Sequence, residues 1–417
     1  MTTRNAEPGA RPEIELLLAC ARTSVDAAGT ACIRNLLRED LDWDYLVEIS
    51  RRHRVTPLLY RSLHSICPEA IPTATLELLR AQYHAVAQHS LFLTGKLLKL
   101  LDQLESHGIH AIPLKGPLLA AAAYGNLSLR QFDDLDILIQ KQDILRAKAV
   151  FIAQGYQPEI QLTGPQEAAF LDSQYEYHFS SADSRVVVGL HYRMSPRYFS
   201  FAIAPEHLLN RREQVSLSGK QVWSLSPEDL LLTLCAHGAN HCWERLSWIC
   251  DIAELLRVHQ RVHWEQLLER AESLGSERML LLGLLLAGEL LGADLPQKVV
   301  QRVRADPMVE SLARQVYEQL FREGDDPFGL LKRSLFHLRA REHLQDRVWY
   351  CLRLALIPTA EDWALLPLPA RLSFIYSLLR PFRLAGTYGL SRLNDLPRLL
   401  KRWLARSVRM MLHNRPW

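Results

Sequence analysis

No stretch of this 417-residue chain approaches the roughly 20 consecutive apolar residues that a membrane-spanning helix needs. The longest apolar run, Met279–Gly288, meets Glu289 after ten residues. The opening MTTRNAEPGARPE lacks the apolar centre of a secretion signal. Cysteines are few, seven in all, odd in number and without a CxxC pair, which speaks against a disulfide framework and for reduced, mostly buried thiols. Internal repeats and low-complexity tracts are absent too. A cytoplasmic protein without a transmembrane segment is the expectation. Net charge is also scarce, +3 in total. From Pro381 to Trp417 eight basic residues face one acid, a balance of +7 that leaves −4 for the preceding residues. The body is therefore no nucleic-acid surface by bulk charge, and any basic partner site falls in the tail.

What is present is an ordinary globular composition, 48% hydrophobic and 23% charged, in a length that suggests about three structural units. Residues 12–107 show apolar positions at three- and four-residue spacing and read as helices, the last ending at Gly108. The period then changes. HAIPLKG (110–116) and LDILI (135–139) read as strands, with an alanine-rich helix between them. KQDILRAKAVFIAQGY reads as a helix with Gly155 past its end. YEYHFSS (175–181) and RVVVGLHYRM (185–194) form a hairpin across a polar turn. From Ser226 onward the pattern is helical again, opened by a Ser-Pro-Glu-Asp cap. The expected fold is α+β and mostly helical, with a small mixed sheet flanked by helical regions. The expected divisions are 12–107, 108–225, 226–380 and a basic amphipathic tail at 381–417.

RQFDDLDILI (130–139) carries the chemistry. In a strand, residues two apart share a face, so Asp134 and Asp136 converge while Leu135 and Ile137 turn away. Two carboxylates on a rigid strand suit Mg²⁺ together with substrate phosphates, and a two-metal arrangement would serve an in-line displacement at phosphorus. Asp133 has the opposite parity and reads as a turn residue. A solvated acidic loop end is the simpler reading of DDLD alone; its neighbourhood shifts the balance. Lys115 and Gly116 form a turn before a helix N-terminus, where phosphate would be received, and Arg130 could serve the same anion.

The ordered set LKGPLLAAAAYGNLSLRQFDDLDILI, YEYHF, GLHYR, HGANHCWERLSWICDI and DWALLPLPARLSFIYSLLRPFRL resembles the bacterial uncharacterised nucleotidyltransferase family of the polymerase-beta-like superfamily, over roughly residues 20 to 385. The resemblance implies Mg²⁺-dependent transfer of a nucleoside monophosphate from an NTP to an acceptor. Asp134 and Asp136 would then be the metal carboxylates, and Gly116 with Lys115 the turn that meets the triphosphate. It also implies a third carboxylate two residues before the histidine of a later strand. Here that position is Gly189, in VGLHY.

A substitute is conceivable. If the hairpin turns tightly at Asp183-Ser184, paired positions sum to 367, and Glu176, His178, Gly189 and His191 share one face. Glu176 or a histidine would then complete the catalytic set as ligand or base. A slip of one residue would turn every side chain to the other face.

His237 and His241 lie four apart on a predicted helix. Packing around Trp243 and Trp248 is the first reading of them. Contact with nucleotide or acceptor, together with Asp251, is the second, and a metal site the third, since HGANH lacks the glutamate of a zinc protease. In the tail, 396–412 places its apolar residues on one stripe with arginines elsewhere. It would dock on the protein's own core, meet RNA or a partner, or lie peripherally on an anionic membrane. The acceptor stays open among a small molecule, a sugar, a peptide or protein, and tRNA. The alternative function is a non-catalytic nucleotide-binding or scaffold descendant, favoured by Gly189.

Overall fold

The computed structural model describes residues 11–199, 201, 203–259, 261–322, 329–359, 362 and 374–388. The stripe at 396–412 lies outside the described residues. Among the described residues no helix is long and apolar enough to cross a membrane. The architecture is α+β and mostly helical, with a small mixed sheet. Two compact units divide the chain. One takes the segments up to 161 and from 175 to 347; the other takes 162–174 and 348–417.

In the first unit, helices α1 (Pro12–Cys20), α2 (Ala27–Leu36), α3 (Trp43–Arg52), α4 (Thr56–Ile66) and the long α5 (Thr73–Ser106) precede the sheet. Helix α5 buries Leu93, Leu97, Leu100 and Leu104, one apolar stripe of a mostly polar surface. Then come β1 (Ile112–Pro113), α6 (Gly116–Ala122), β2 (Asp134–Leu138), α7 (Ile144–Ala153) and β3 (Tyr156–Pro158). Helix α8 (Gly164–Ser173) belongs to the second unit. Strands β4 (Glu176–Ser181) and β5 (Val187–His191) complete a sheet of order β1-β2-β5-β4-β3. Only the β2–β5 pair is parallel. A short helix α9 (Pro205–Asn210) leads to a separate hairpin, β6 (Glu213–Leu217) and β7 (Lys220–Ser224). Its Ser218-Gly219 link has both residues at positive φ, the geometry that two-residue hairpin turns favour. This hairpin adds to the strands expected from the sequence, where its only signal is alternation around Ser-Gly.

Helices α10 (Pro227–Asn240), α11 (Leu246–Val258), α12 (Trp264–Ser273) and α13 (Glu277–Leu291) pack beyond this hairpin in the chain, succeeded by α14 (Gln297–Ala305), α15 (Pro307–Leu320) and α16 (Leu330–Arg339). The Ser226 side chain caps α10 by accepting from the Asp229 amide. One contiguous apolar core joins residues from Ile14 to Ala340. In the second unit, Arg380 Nη1 lies 2.6 Å from Asp362 Oδ2, both buried. Arg380 Nε also donates to the Leu354 carbonyl at 2.9 Å. That hydrogen bond ties the helix Phe374–Tyr388 to α17 (Leu344–Leu356).

His53 shows how the first unit depends on pH. Its Nε2 donates to the Leu320 carbonyl at 2.9 Å and its Nδ1 accepts from the Leu246 amide. Both nitrogens are satisfied only in the neutral ring. Burial, helped by Arg52, lowers its pKa from 6.5 to about 4. The unfolded chain therefore binds this proton between pH 6.5 and 4 while the folded chain does not. Stability present above pH 6.5 falls as pH drops through that window, by up to about 3 kcal/mol from this group. Urea midpoints at pH 7.5 and 5 should differ accordingly, and His53→Gln should shrink the difference.

Candidate functional site

Strand β2 alternates as the sequence requires. Leu135 and Ile137 are buried on one face, and Asp134 and Asp136 stand on the other. Leu114 N donates to Asp136 O at 3.0 Å, which brings Lys115 beside the acid. Lys115 Nζ is 3.4 Å from Asp136 Oδ2 and donates to His237 Nδ1 at 3.0 Å. The next residue, Gly116, has φ +54°, and an added Cβ would lie 3.6 Å from the Asp134 carbonyl. The left-handed backbone explains the glycine. Asp133 turns the other way and pairs with Arg54 at 2.5 Å.

The β4–β5 hairpin takes the register that its tight turn predicts. Glu176 faces His191 and His178 faces Gly189, while across the parallel pair Asp136 faces Gly189. Three strands thus aim Asp136, Glu176, His178 and His191 at one place. His191 Nε2 lies 3.0 Å from Asp136 Oδ1 and 3.1 Å from Glu176 Oε2. His178 Nε2 lies 3.0 Å from Glu176 Oε1. Tyr175, just before β4, also hydrogen-bonds Glu176. Strand parity gave no hint of it.

These contacts set the charges. Burial works to raise the Glu176 carboxyl, but His191 and His178 outweigh it and hold it below the usual range. Asp136 is likewise held low against burial, by Lys115 and His191. Asp134, nearer solvent, is raised by burial and by Asp136. The Glu176 hydrogen bond lifts His178 to about 9, so its ring is largely protonated at neutral pH. His191 is raised too, because Glu176 and Asp136 overcome the effect of burial.

A cavity of about 200 Å³ opens over this face, lined from the sheet side by Lys115, Asp134, Asp136 and Glu176. Helix α10 supplies the opposite wall with His237 and Asn240, and His241 comes at its end. The His237 and His241 ring centroids are 4.6 Å apart, and both rings pack against Trp248. Burial and the Lys115 charge hold both rings neutral, His241 at about 4. They do pack around a tryptophan, yet they also face the cavity.

Arg130 and Asp251 are placed elsewhere. Arg130 Nε and Nη2 meet Asp251 Oδ1 and Oδ2 at 2.7 and 2.8 Å, and Tyr124 Oη donates to the same Oδ1 at 2.7 Å. Both residues are buried. This bidentate pair uses the guanidinium edge that a phosphate would need and the carboxylate that an acceptor would need. It fixes α11 to the segment leading into β2.

The donor set suits a divalent cation. Asp136, Glu176 and His191 each offer one ligand atom, all within 4.8 Å of one another. A Cβ at Gly189 would fall 2.9 Å from Asp136 Oδ1, 3.2 Å from His191 Nε2 and 3.5 Å from Glu176 Oε2. The missing side chain leaves the space into which those atoms converge. Asp134 stands at the rim of the same cavity.

A family model described as "Uncharacterised nucleotidyltransferase" matches residues 39–292. No curated protein gives a significant match. Among solved structures, an antigenic nucleotidyltransferase-like protein from Paracoccidioides brasiliensis is 16% identical, covering 53% of this chain and 92% of its own, at a TM-score of 0.31. A likeness that weak carries no argument.

Proposed function

The chain belongs to the uncharacterised nucleotidyltransferase family, and from that premise we propose that it transfers a nucleoside monophosphate from an NTP to an acceptor. The observation that carries this reading is the convergence of three carboxylates, Asp134, Asp136 and Glu176, with Lys115 over one cavity. A divalent cation, Mg²⁺ by family resemblance, would be held by Asp134 and Asp136 and would neutralise charge on the phosphates during displacement. Lys115 offers an ammonium to a phosphate oxygen from the head of α6. Glu176 supplies the third acid from β4, ionised and oriented by His178 and His191. His178, largely protonated, serves better as an anion partner than as a base.

The cavity is smaller than the 300–1,000 Å³ typical of small-molecule sites. It has room for the reacting phosphates and their cation, so base and ribose would lie outside it. His237, Asn240 and His241 face the acceptor side. A small molecule, a sugar, a peptide or protein side chain and tRNA all remain acceptor classes, with tRNA disfavoured by the −4 balance of the body.

The absence of an acid at Gly189 supports a second reading, a nucleotide-binding protein without turnover. Incubation with Mg²⁺, each labelled NTP and a cell extract as acceptor source separates the two. Label transfer or pyrophosphate release is expected, falling at least ~10³-fold, about 4 kcal/mol, in an Asp134→Ala/Asp136→Ala variant. NTP binding with no turnover would favour the second reading.

A further inference from the structure

We propose that Asp136, Glu176 and His191 form a mixed carboxylate–imidazole metal site, beside the Asp134–Asp136 cation and sharing Asp136 with it, that prefers first-row transition ions, Mn²⁺ included, to Mg²⁺. The inference rests on the nucleotidyltransferase reading only for what the metal is used for; the binding itself is a separate property of these three strands.

The three donors come from β2, β4 and β5, and the register of two strand pairs fixes their alignment. Gly189 sits between Asp136 on one side and His178 on the other. The atoms nearest to its missing Cβ are Asp136 Oδ1, His191 Nε2 and Glu176 Oε2. These are the atoms that would ligate. A side chain at 189 would occupy the ligand space, so glycine there is the condition of this site. The carboxylate that the resemblance places on β5 would then be supplied from β4.

The ligand atoms already meet. Two carboxylates meet on one imidazole nitrogen, at 3.0 and 3.1 Å. His191 Nδ1 is buried and has no hydrogen-bond partner among the described residues. The two carboxylates accept from Nε2–H, so a bound cation would take the place of that proton, leaving a neutral ring with its proton on Nδ1. Lys115 takes the other oxygen of Asp136 and Tyr175 hydrogen-bonds Glu176, which orients both carboxylates.

The nitrogen decides the preference. Mg²⁺ takes oxygen ligands in a near-ideal octahedron. Imidazole suits the later first-row ions best; Mn²⁺, lowest in that series and otherwise an oxygen-ligand ion like Mg²⁺, is the most stringent probe of the preference.

The test uses the full chain, stripped of metal and titrated with Mn²⁺ alone, without nucleotide or acceptor. Free Mn²⁺ is read by electron paramagnetic resonance, and the bound ion by electron spin echo modulation. Expected is a bound ion that survives a tenfold excess of Mg²⁺ and shows ¹⁴N modulation from a coordinated imidazole. Labelling wild-type protein with ¹⁵N-histidine should remove that modulation without any substitution. His191→Gln should lose it and weaken binding at least ~10-fold. Glu176→Gln should weaken binding while keeping the modulation, and His84→Gln, at an exposed position of α5, should keep both. No binding, displacement by equimolar Mg²⁺, bound Mn²⁺ without ¹⁴N modulation, or modulation that persists in a folded His191→Gln protein would each overturn the proposal. Failure of nucleotide transfer would leave this result standing.

Discussion

Replacing Asp251 by alanine is expected to destabilise the first unit by about 3–5 kcal/mol, because it leaves the buried Arg130 guanidinium without its partner. Globular domains hold only about 5–15 kcal/mol in total, so the urea midpoint should fall steeply. Arg130 donates twice to Asp251, and Tyr124 adds a third hydrogen bond to the same carboxylate. Removing the acid orphans all three donors. Replacing both charges with apolar residues, Arg130→Met with Asp251→Leu, should cost less than either single change. If Arg130 instead served the triphosphate, Asp251→Ala would leave the urea midpoint nearly unchanged and alter nucleotide affinity.

The fate of Arg130 shows where sequence reasoning stops. Four residues before Asp134 in the chain, it suggests a partner for the same anion. Its partner is 121 residues away on α11, and a single sequence gives no signal for such a contact. Asp251 was read with the histidines of α10 for the same reason: proximity along the chain stood in for proximity in space. Where a short-range rule governs, sequence and structure agree on placement. The parity of β2 sent Asp134 and Asp136 to one face and Asp133 to the other. The turn at Asp183-Ser184 fixed the pairing of Glu176 with His191 and of His178 with Gly189. Period and turn chemistry act over a few residues, so they are legible. The cavity needs α10 to close over the sheet, and that comes from core packing, which the order of residues does not spell out.

Gly189→Ala is expected to lower nucleotide transfer at least ~10²-fold, about 2.7 kcal/mol of barrier, although it adds a single methyl group. The reason is contact. The new Cβ would lie 2.9 Å from Asp136 Oδ1 and 3.2 Å from His191 Nε2, closer than an unstrained side chain allows, so both must shift. Overpacking of this kind also costs about 1–3 kcal/mol of stability, and a urea titration separates that loss from the loss of rate. Gly189→Glu tests the same point from the other side. In a site that had simply lost its third acid, restoring a carboxylate at 189 would raise transfer or leave it unchanged. If Glu176 fills that role, as proposed, the added acid brings one more negative charge against Asp136 and Glu176 and displaces His191. Single-turnover transfer should therefore fall in Gly189→Glu at least as far as in Gly189→Ala. A gain in Gly189→Glu would mean that the third acid belongs on β5 and that Glu176 is only a neighbour.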